Sequence, residues 1–208
     1  MTRRQFGVFA ASAAGQLAGA SKESLVYIGT YTKGDSKGIY VQKFDPVTGK
    51  LTDAAVAAEV ANPSFLFVKG NHLYAVGEAD SGMVTAFEID RATGKLKKLN
   101  DQKSGGEGPC HLATDNAGKN LLIVHYGSGQ VSSFQLKPDG SLGERTALVQ
   151  DTGELGPNKR RQDKAHAHSV NLSKNEKYAV VGDLGLDQFL VYAFDRTRAH
   201  SRRIPVPK

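Results

Sequence analysis

From residue 24 to residue 194 the chain alternates short apolar runs with turn-forming residues. Leu25-Val26-Tyr27-Ile28-Gly29 is a compact apolar run. Gly38–Phe44 alternates apolar and polar positions with the period of two expected for a half-buried strand. In the turn Asp45-Pro46-Val47-Thr48-Gly49-Lys50, proline fixes φ and glycine supplies a positive φ; Leu51 then opens a further segment. The unit returns as Pro63–Val68, Leu73–Val76, Met83–Ile89, the turn Asp90–Lys95 and Leu96–Leu99. It returns again as Cys110–Thr114, Leu121–Val124, Gln130–Leu136, the turn Lys137–Gly140 and Ser141-Leu142. A fourth copy begins with His168–Leu172, Tyr178–Val181 and Phe189–Phe194.

Taking Tyr27, Tyr74, Leu122 and Ala179 as equivalent gives spacings of 47, 48 and 57 residues, the last stretched by the loop at 150–165. A period near fifty with about four short strands per unit predicts an all-β protein, a β-propeller of four-stranded blades. No segment beyond the N-terminal region carries a 3.6-residue apolar period. Each blade buries its faces against its neighbours, so the units are expected to form a ring.

Composition supports this reading: 23 glycines, no tryptophan and 208 residues suit a turn-rich β protein. The net charge of +6 draws on Arg3, Arg4 and a tail holding Arg198, Arg202, Arg203 and Lys208. Without a basic helix or an aromatic-basic array, this surplus does not predict nucleic-acid binding. The lone Cys110 excludes an intramolecular disulfide and reads as a small buried hydrophobe.

Paired arginines, Phe6 two residues on and the Ala/Gly-rich stretch to Ala20 look like a twin-arginine export signal spanning residues 1–20. The localisation expected is periplasmic or exported. This stretch is too short and too poor in large residues to cross a bilayer. The propeller is assigned to 21–195, and 196–208 reads as a basic tail, with no strand pattern in Ser201–Lys208.

The chemistry concentrates in 157–169, which holds four cations, Asp163, His166 and His168 before the apolar Val170–Leu172. Residues two apart on a strand share a face, so His166 and His168 are expected together if the strand begins early enough. Two histidines with Asp183 also invite a metal reading, but calcium needs several oxygen ligands and no concentrated acidic set is present. A metal-free site is expected. No glycine loop leads into a helix to cradle phosphates, so no nucleotide cofactor is expected.

Several motifs in order resemble the seven-bladed lactonase family. They are Tyr27-Ile28-Gly29-Thr30-Tyr31-Thr32, Gly38-Ile39-Tyr40-Val41, Asn62-Pro63-Ser64-Phe65-Leu66 and Leu73-Tyr74-Ala75-Val76, followed by Ser104-Gly105-Gly106 with Pro109-Cys110-His111-Leu112. Asn116–Leu122, His166-Ala167-His168-Ser169-Val170 and Asp183-Leu184-Gly185 complete the series. The family includes bacterial propeller-type 6-phosphogluconolactonases and is related to fungal carboxymuconate cyclases. His125 and Gly77 stand where it usually has asparagine. The resemblance implies a ring of seven blades, of which this chain supplies about three and a half. The chain is therefore expected to be a truncated or frameshifted product or a fragment, and to be inactive if no further blades follow.

The function implied is hydrolysis of a small anionic sugar lactone such as 6-phosphogluconolactone. An export signal would favour a different sugar lactone, because that one is cytosolic. The alternatives are a non-catalytic binding propeller and a carboxymuconate-type cycloisomerase. Lactone hydrolysis needs an activated water, a stabilised oxyanion and a proton for the leaving oxygen. His168 or His111 is the candidate base, both placed in first strands and read as repeat equivalents. His166 is a candidate acid or donor, and Arg161 the anion or oxyanion clamp. Glu78 and Asp183 either orient a histidine or cap a turn. Ser169 lacks the glycine-flanked elbow of a serine hydrolase.

Overall fold

The structure, a computed structural model, describes residues 23–195 and the backbone of 200–204. The stretch read as an export signal lies outside the described residues. Sixteen strands form four antiparallel sheets, with no helix among the described residues.

The first sheet holds β1 (Ser24–Ile28), β2 (Gly38–Asp45), β3 (Lys50–Leu51) and β4 (Ala55–Glu59), with β3 and β4 both paired to β2. The second runs β5 (Leu66–Lys69), β6 (His72–Gly77), β7 (Met83–Ile89), β8 (Leu96–Lys103). In the third, β9 (Pro109–Thr114), β10 (Asn120–His125), β11 (Gln130–Leu136) and β12 (Leu142–Gln150) follow the same order. The fourth comprises β13 (Ala167–Leu172), β14 (Tyr178–Asp183), β15 (Gln188–Asp195) and β16 (His200–Ile204).

Three apolar layers glue successive sheets face to face. Tyr27, Ile39 and Val41 meet Leu73, Ala75 and Phe87 between the first and second sheets. Tyr74, Val76 and Val84 meet Leu121, Ile123 and Phe134 between the second and third. Leu122, Val124 and Val131 meet Ala179, Val181 and Tyr192 between the third and fourth. Strands β6 and β10 therefore bury both faces, which is why they read as continuous apolar runs rather than alternating ones. A polar bond recurs across two of the layers. Tyr27 donates its hydroxyl to the Gly94 carbonyl at 2.9 Å, and Tyr74 donates to that of Gly140 at 3.0 Å. Each tyrosine thereby clips its sheet to the outer hairpin turn of the next.

Two sequence expectations change here. Leu122 and Ala179 face each other across one layer, so they belong to opposite faces of their sheets. The true equivalent of Leu122 is Val180, because a one-residue slip in a strand exchanges its faces. The second concerns the basic tail, where His200–Ile204 pairs with β15 and completes the fourth sheet. Its backbone ladder with β15 is what joins it to the sheet. The matching strand β8 is largely exposed, with Lys97 and Lys98 open to solvent. By register, β1 matches β6 rather than β5. Among the described residues the first sheet thus lacks an inner strand, and the other three are complete.

Candidate active site

Strands β5, β9 and β13 lie side by side on the inner edge of the fan. Two of them begin with the same irregularity. In β9, His125 pairs with Pro109 and Val124 with His111, leaving Cys110 as the extra residue. In β13, Asp183 pairs with Ala167 and Gly182 with Ser169, leaving His168 as the extra residue. A bulge adds a residue to one strand and re-aims its side chain. Ser64 precedes β5 at the matching position, after Pro63 as Cys110 follows Pro109. All three line one cleft of about 370 Å³ with Tyr31, Glu78, Tyr126 and Arg161.

This register corrects the expected equivalence of the histidines. His168 matches Cys110, and His111 matches Ser169 one position on. His111 is half-buried, packs at a tilt against Phe65 at 4.2 Å between ring centres, and accepts the Val170 backbone N–H through Nδ1 at 3.3 Å. It ties β9 to β13 and is absent from the cleft lining. Burial lowers its pKa, and the nearby His168 adds to the effect.

His166 and His168 do not share a face either. Strand β13 begins at Ala167, and the bulge follows at once. His166 is buried, whereas His168 is exposed to the cleft. The His166 ring stacks on Tyr126 with centres 4.4 Å apart. Its Nδ1 lies 2.8 Å from the Tyr126 carbonyl oxygen and its Nε2 lies 2.9 Å from Asp163 Oδ1. Both ring nitrogens are engaged within the protein. The bond to His166 is the main cause holding the Asp163 carboxyl below its ordinary pKa.

Asp183 does not touch a histidine ring. It is 3 % exposed, and its Oδ1 accepts the backbone N–H groups of His166 and Leu186, each at 2.9 Å. Those two bonds close the loop ahead of β13 onto the β14–β15 turn, which makes Asp183 a cap. Glu78 is in the cleft, where its Oε2 accepts the Tyr31 hydroxyl at 2.8 Å. That bond is the largest cause raising the tyrosine pKa.

Arg161 stands on the loop preceding β13, and its Nη2 donates to the Tyr126 hydroxyl at 3.2 Å. Tyr126 also meets the His168 ring edge-on at 5.5 Å. It is thus the hub between Arg161, His166 and His168. Sequence reasoning missed Tyr31, Ser64 and Tyr126, although Tyr31, Glu78 and Tyr126 recur at one repeat position just past β1, β6 and β10. It also missed Asn62, whose φ of 45° turns the chain. Its Oδ1 accepts the Thr32 backbone N–H and its carbonyl the Glu78 backbone N–H, each at 3.0 Å, which fixes both sides of the Tyr31–Glu78 pair.

Burial holds the Cys110 thiol away from ionisation. Burial, with Glu78 adding, pushes its pKa up to about 12, and its Sγ lies 3.5 Å from the Ala167 carbonyl oxygen. Among the described residues, no three His, Cys, Asp or Glu side chains group as a metal site would require.

The family model for the seven-bladed β-propeller lactonases matches residues 25–207. The chain belongs to that family. A 6-phosphogluconolactonase of Bacillus subtilis (strain 168) is 37 % identical over 80 % of this chain and 48 % of its own length. One from Formosa agariphila is 33 % identical over 78 % of this chain and 47 % of its own length. Among solved structures, a Bacteroides fragilis protein provisionally described as a 6-phosphogluconolactonase is 36 % identical with a TM-score of 0.80. It is matched over 86 % of this chain and 50 % of its own. The periplasmic gluconolactonase of Pseudomonas aeruginosa is 25 % identical with a TM-score of 0.79, over 89 % of this chain and 55 % of its own. The chain spans about half the length of the curated relatives it matches.

Proposed function

We propose that this lactonase-family chain contributes the Arg161–His168 cleft to the hydrolysis of an acidic sugar lactone. The meeting of a guanidinium and an exposed imidazole on the Tyr126 hub carries this reading. His168 takes a proton from a water as its oxygen adds to the lactone carbonyl carbon. Arg161 holds the negative charge, either on the developing oxyanion or on the substrate's own acid group. The ring C–O bond then breaks, and the proton held by His168 passes to the departing oxygen, leaving a hydroxy acid. Glu78, held by Tyr31, lines the same cleft and offers a carboxylate to sugar hydroxyls.

The relatives named 6-phosphogluconolactonase and gluconolactonase support a sugar lactone as substrate. Export through the twin-arginine route is part of the proposal. The periplasmic relative supports it, and it favours an unphosphorylated acidic lactone over 6-phosphogluconolactone. Proton release at neutral pH tests the assignment in the full-length protein, with both lactones offered to wild type, His168→Ala and Arg161→Ala. The expected result is turnover above the spontaneous rate, abolished by the first substitution and weakened by the second. Turnover indistinguishable from spontaneous hydrolysis, or variants equal to wild type, would overturn it.

A further inference from the structure

The sheet ends remote from Arg161 and His168 carry a second, larger cleft of about 900 Å³ between the second and third sheets. It is built by three turns. They are Lys69–Asn71 between β5 and β6, Ala117–Lys119 between β9 and β10, and Lys137–Gly140 between β11 and β12. Each turn brings one lysine to the lining: Lys69, Lys119 and Lys137. The ion pairs found among the described residues involve Lys43, Lys97, Lys98 and His166, and none of these three lysines.

One acid, Asp115, is in the lining, and Asp139 of the third turn lies beside Lys137, so the three lysines outnumber the acids. Asp115 is 1 % exposed and is occupied by its own turn. Its Oδ1 accepts the backbone N–H groups of Lys119 at 2.7 Å and Asn120 at 3.1 Å, and its Oδ2 accepts Asn120 Nδ2 at 2.9 Å. A further cation stands at the rim. Arg91 donates Nε to Asn71 Oδ1 at 2.8 Å and a second N–H to the Gly70 carbonyl, which fixes the first turn.

The floor of the cleft is set as well. The Lys69 stem runs beside Gly118, where an added Cβ would lie 3.4 Å from Lys69 Cγ. The His72 ring lies over Gly140, whose φ of +82° and close contact exclude any larger residue. Tyr74 holds the same Gly140 through its carbonyl. The two glycines keep the cleft open, and the tyrosine bond keeps the third turn in place.

Three like charges in one concavity repel each other, and low-dielectric walls focus their field. A ligand with one negative charge relieves one lysine. A chain of linked phosphates carries several negative charges on one small molecule and replaces repulsion with charge-assisted hydrogen bonds, for which lysine serves as a compact charge. We infer that this cleft binds a small ligand bearing linked phosphate groups, independently of the lactone site.

Titration calorimetry with tripolyphosphate, pyrophosphate and orthophosphate tests the inference on the full chain. The expected result is a single tripolyphosphate site, with affinity falling from tripolyphosphate to orthophosphate and weakening as salt rises. The triple variant Lys69→Gln/Lys119→Gln/Lys137→Gln should lose at least about tenfold in affinity, as the loss of several charge-assisted contacts requires. Arg161→Gln should leave binding unchanged. The inference fails if no tripolyphosphate heat is seen. It also fails if Arg161→Gln weakens binding while the lysine variant does not, which would place the anion in the other cleft. An equal loss from the control Lys97→Gln/Lys98→Gln would show diffuse surface charge and overturn it too.

Discussion

Arg161 Nη2 donates to the Tyr126 hydroxyl across 3.2 Å, joining the loop ahead of the fourth sheet to the end of β10 in the third. The Tyr126 ring is separately fixed by stacking on the buried His166. Tyr126→Phe therefore keeps the ring and removes only the acceptor. One hydrogen bond to a charged group contributes about 1.5–3 kcal/mol at most, less at an exposed site. The expected effect is a KM for an acidic lactone raised about three- to tenfold, with kcat nearly unchanged. Steady-state kinetics on acidic and neutral lactones check this, since Arg161 should matter for the acidic one alone. A loss confined to kcat would instead place Arg161 on the oxyanion.

Cys110 lines the candidate cleft at the position matching His168, yet its thiol is pushed up to about 12. A thiol that high holds almost no thiolate at neutral pH, and the thiolate is the reactive form. Iodoacetamide at mildly alkaline pH should leave the folded chain unmodified and alkylate it fully in denaturant, as read by intact mass. Cys110→Ala should retain lactone turnover. Rapid alkylation of the folded chain would show that the side chain is more open and more acidic than the structure has it.

His125 is fully buried, and burial is the main cause lowering its pKa to about 4; its Nδ1 lies 3.1 Å from the Gln130 carbonyl oxygen. A depressed histidine pKa means that the unfolded chain binds the proton more readily than the folded one. Stability is then complete above the unfolded value of 6.5 and is lost as pH falls from there towards about 4. The ceiling of this loss is about 3 kcal/mol, reached below the folded pKa. Urea midpoints measured between pH 7 and pH 4 should fall for wild type and fall less for His125→Asn. Equal acid sensitivity in both proteins would remove His125 as the cause.

Much of the fold was legible in the chain. Layers that bury both faces of β6 and β10 demand continuous apolar runs, and those runs are what revealed the repeat. Outer strands were harder to read, because the backbone ladder that holds β16 leaves little trace in side-chain pattern. The site was legible only as a cluster. The stretch at 157–169 did hold Arg161 and His168, but His166 and Asp183 proved to be supports rather than cleft residues.

The sequence by itself determined the repeating four-stranded unit, the apolar faces and the region where the charged groups gather. These depend on local periodicity and composition. The tertiary structure decided which groups meet. Bulges at Cys110 and His168 set the side-chain directions on the inner strands. Because a one-residue change in register exchanges the faces of a strand, motif spacing paired His168 with His111, whereas the register pairs it with Cys110. Tyr126 became the centre of the site because strands distant in sequence bring Arg161, His166 and His168 against one ring.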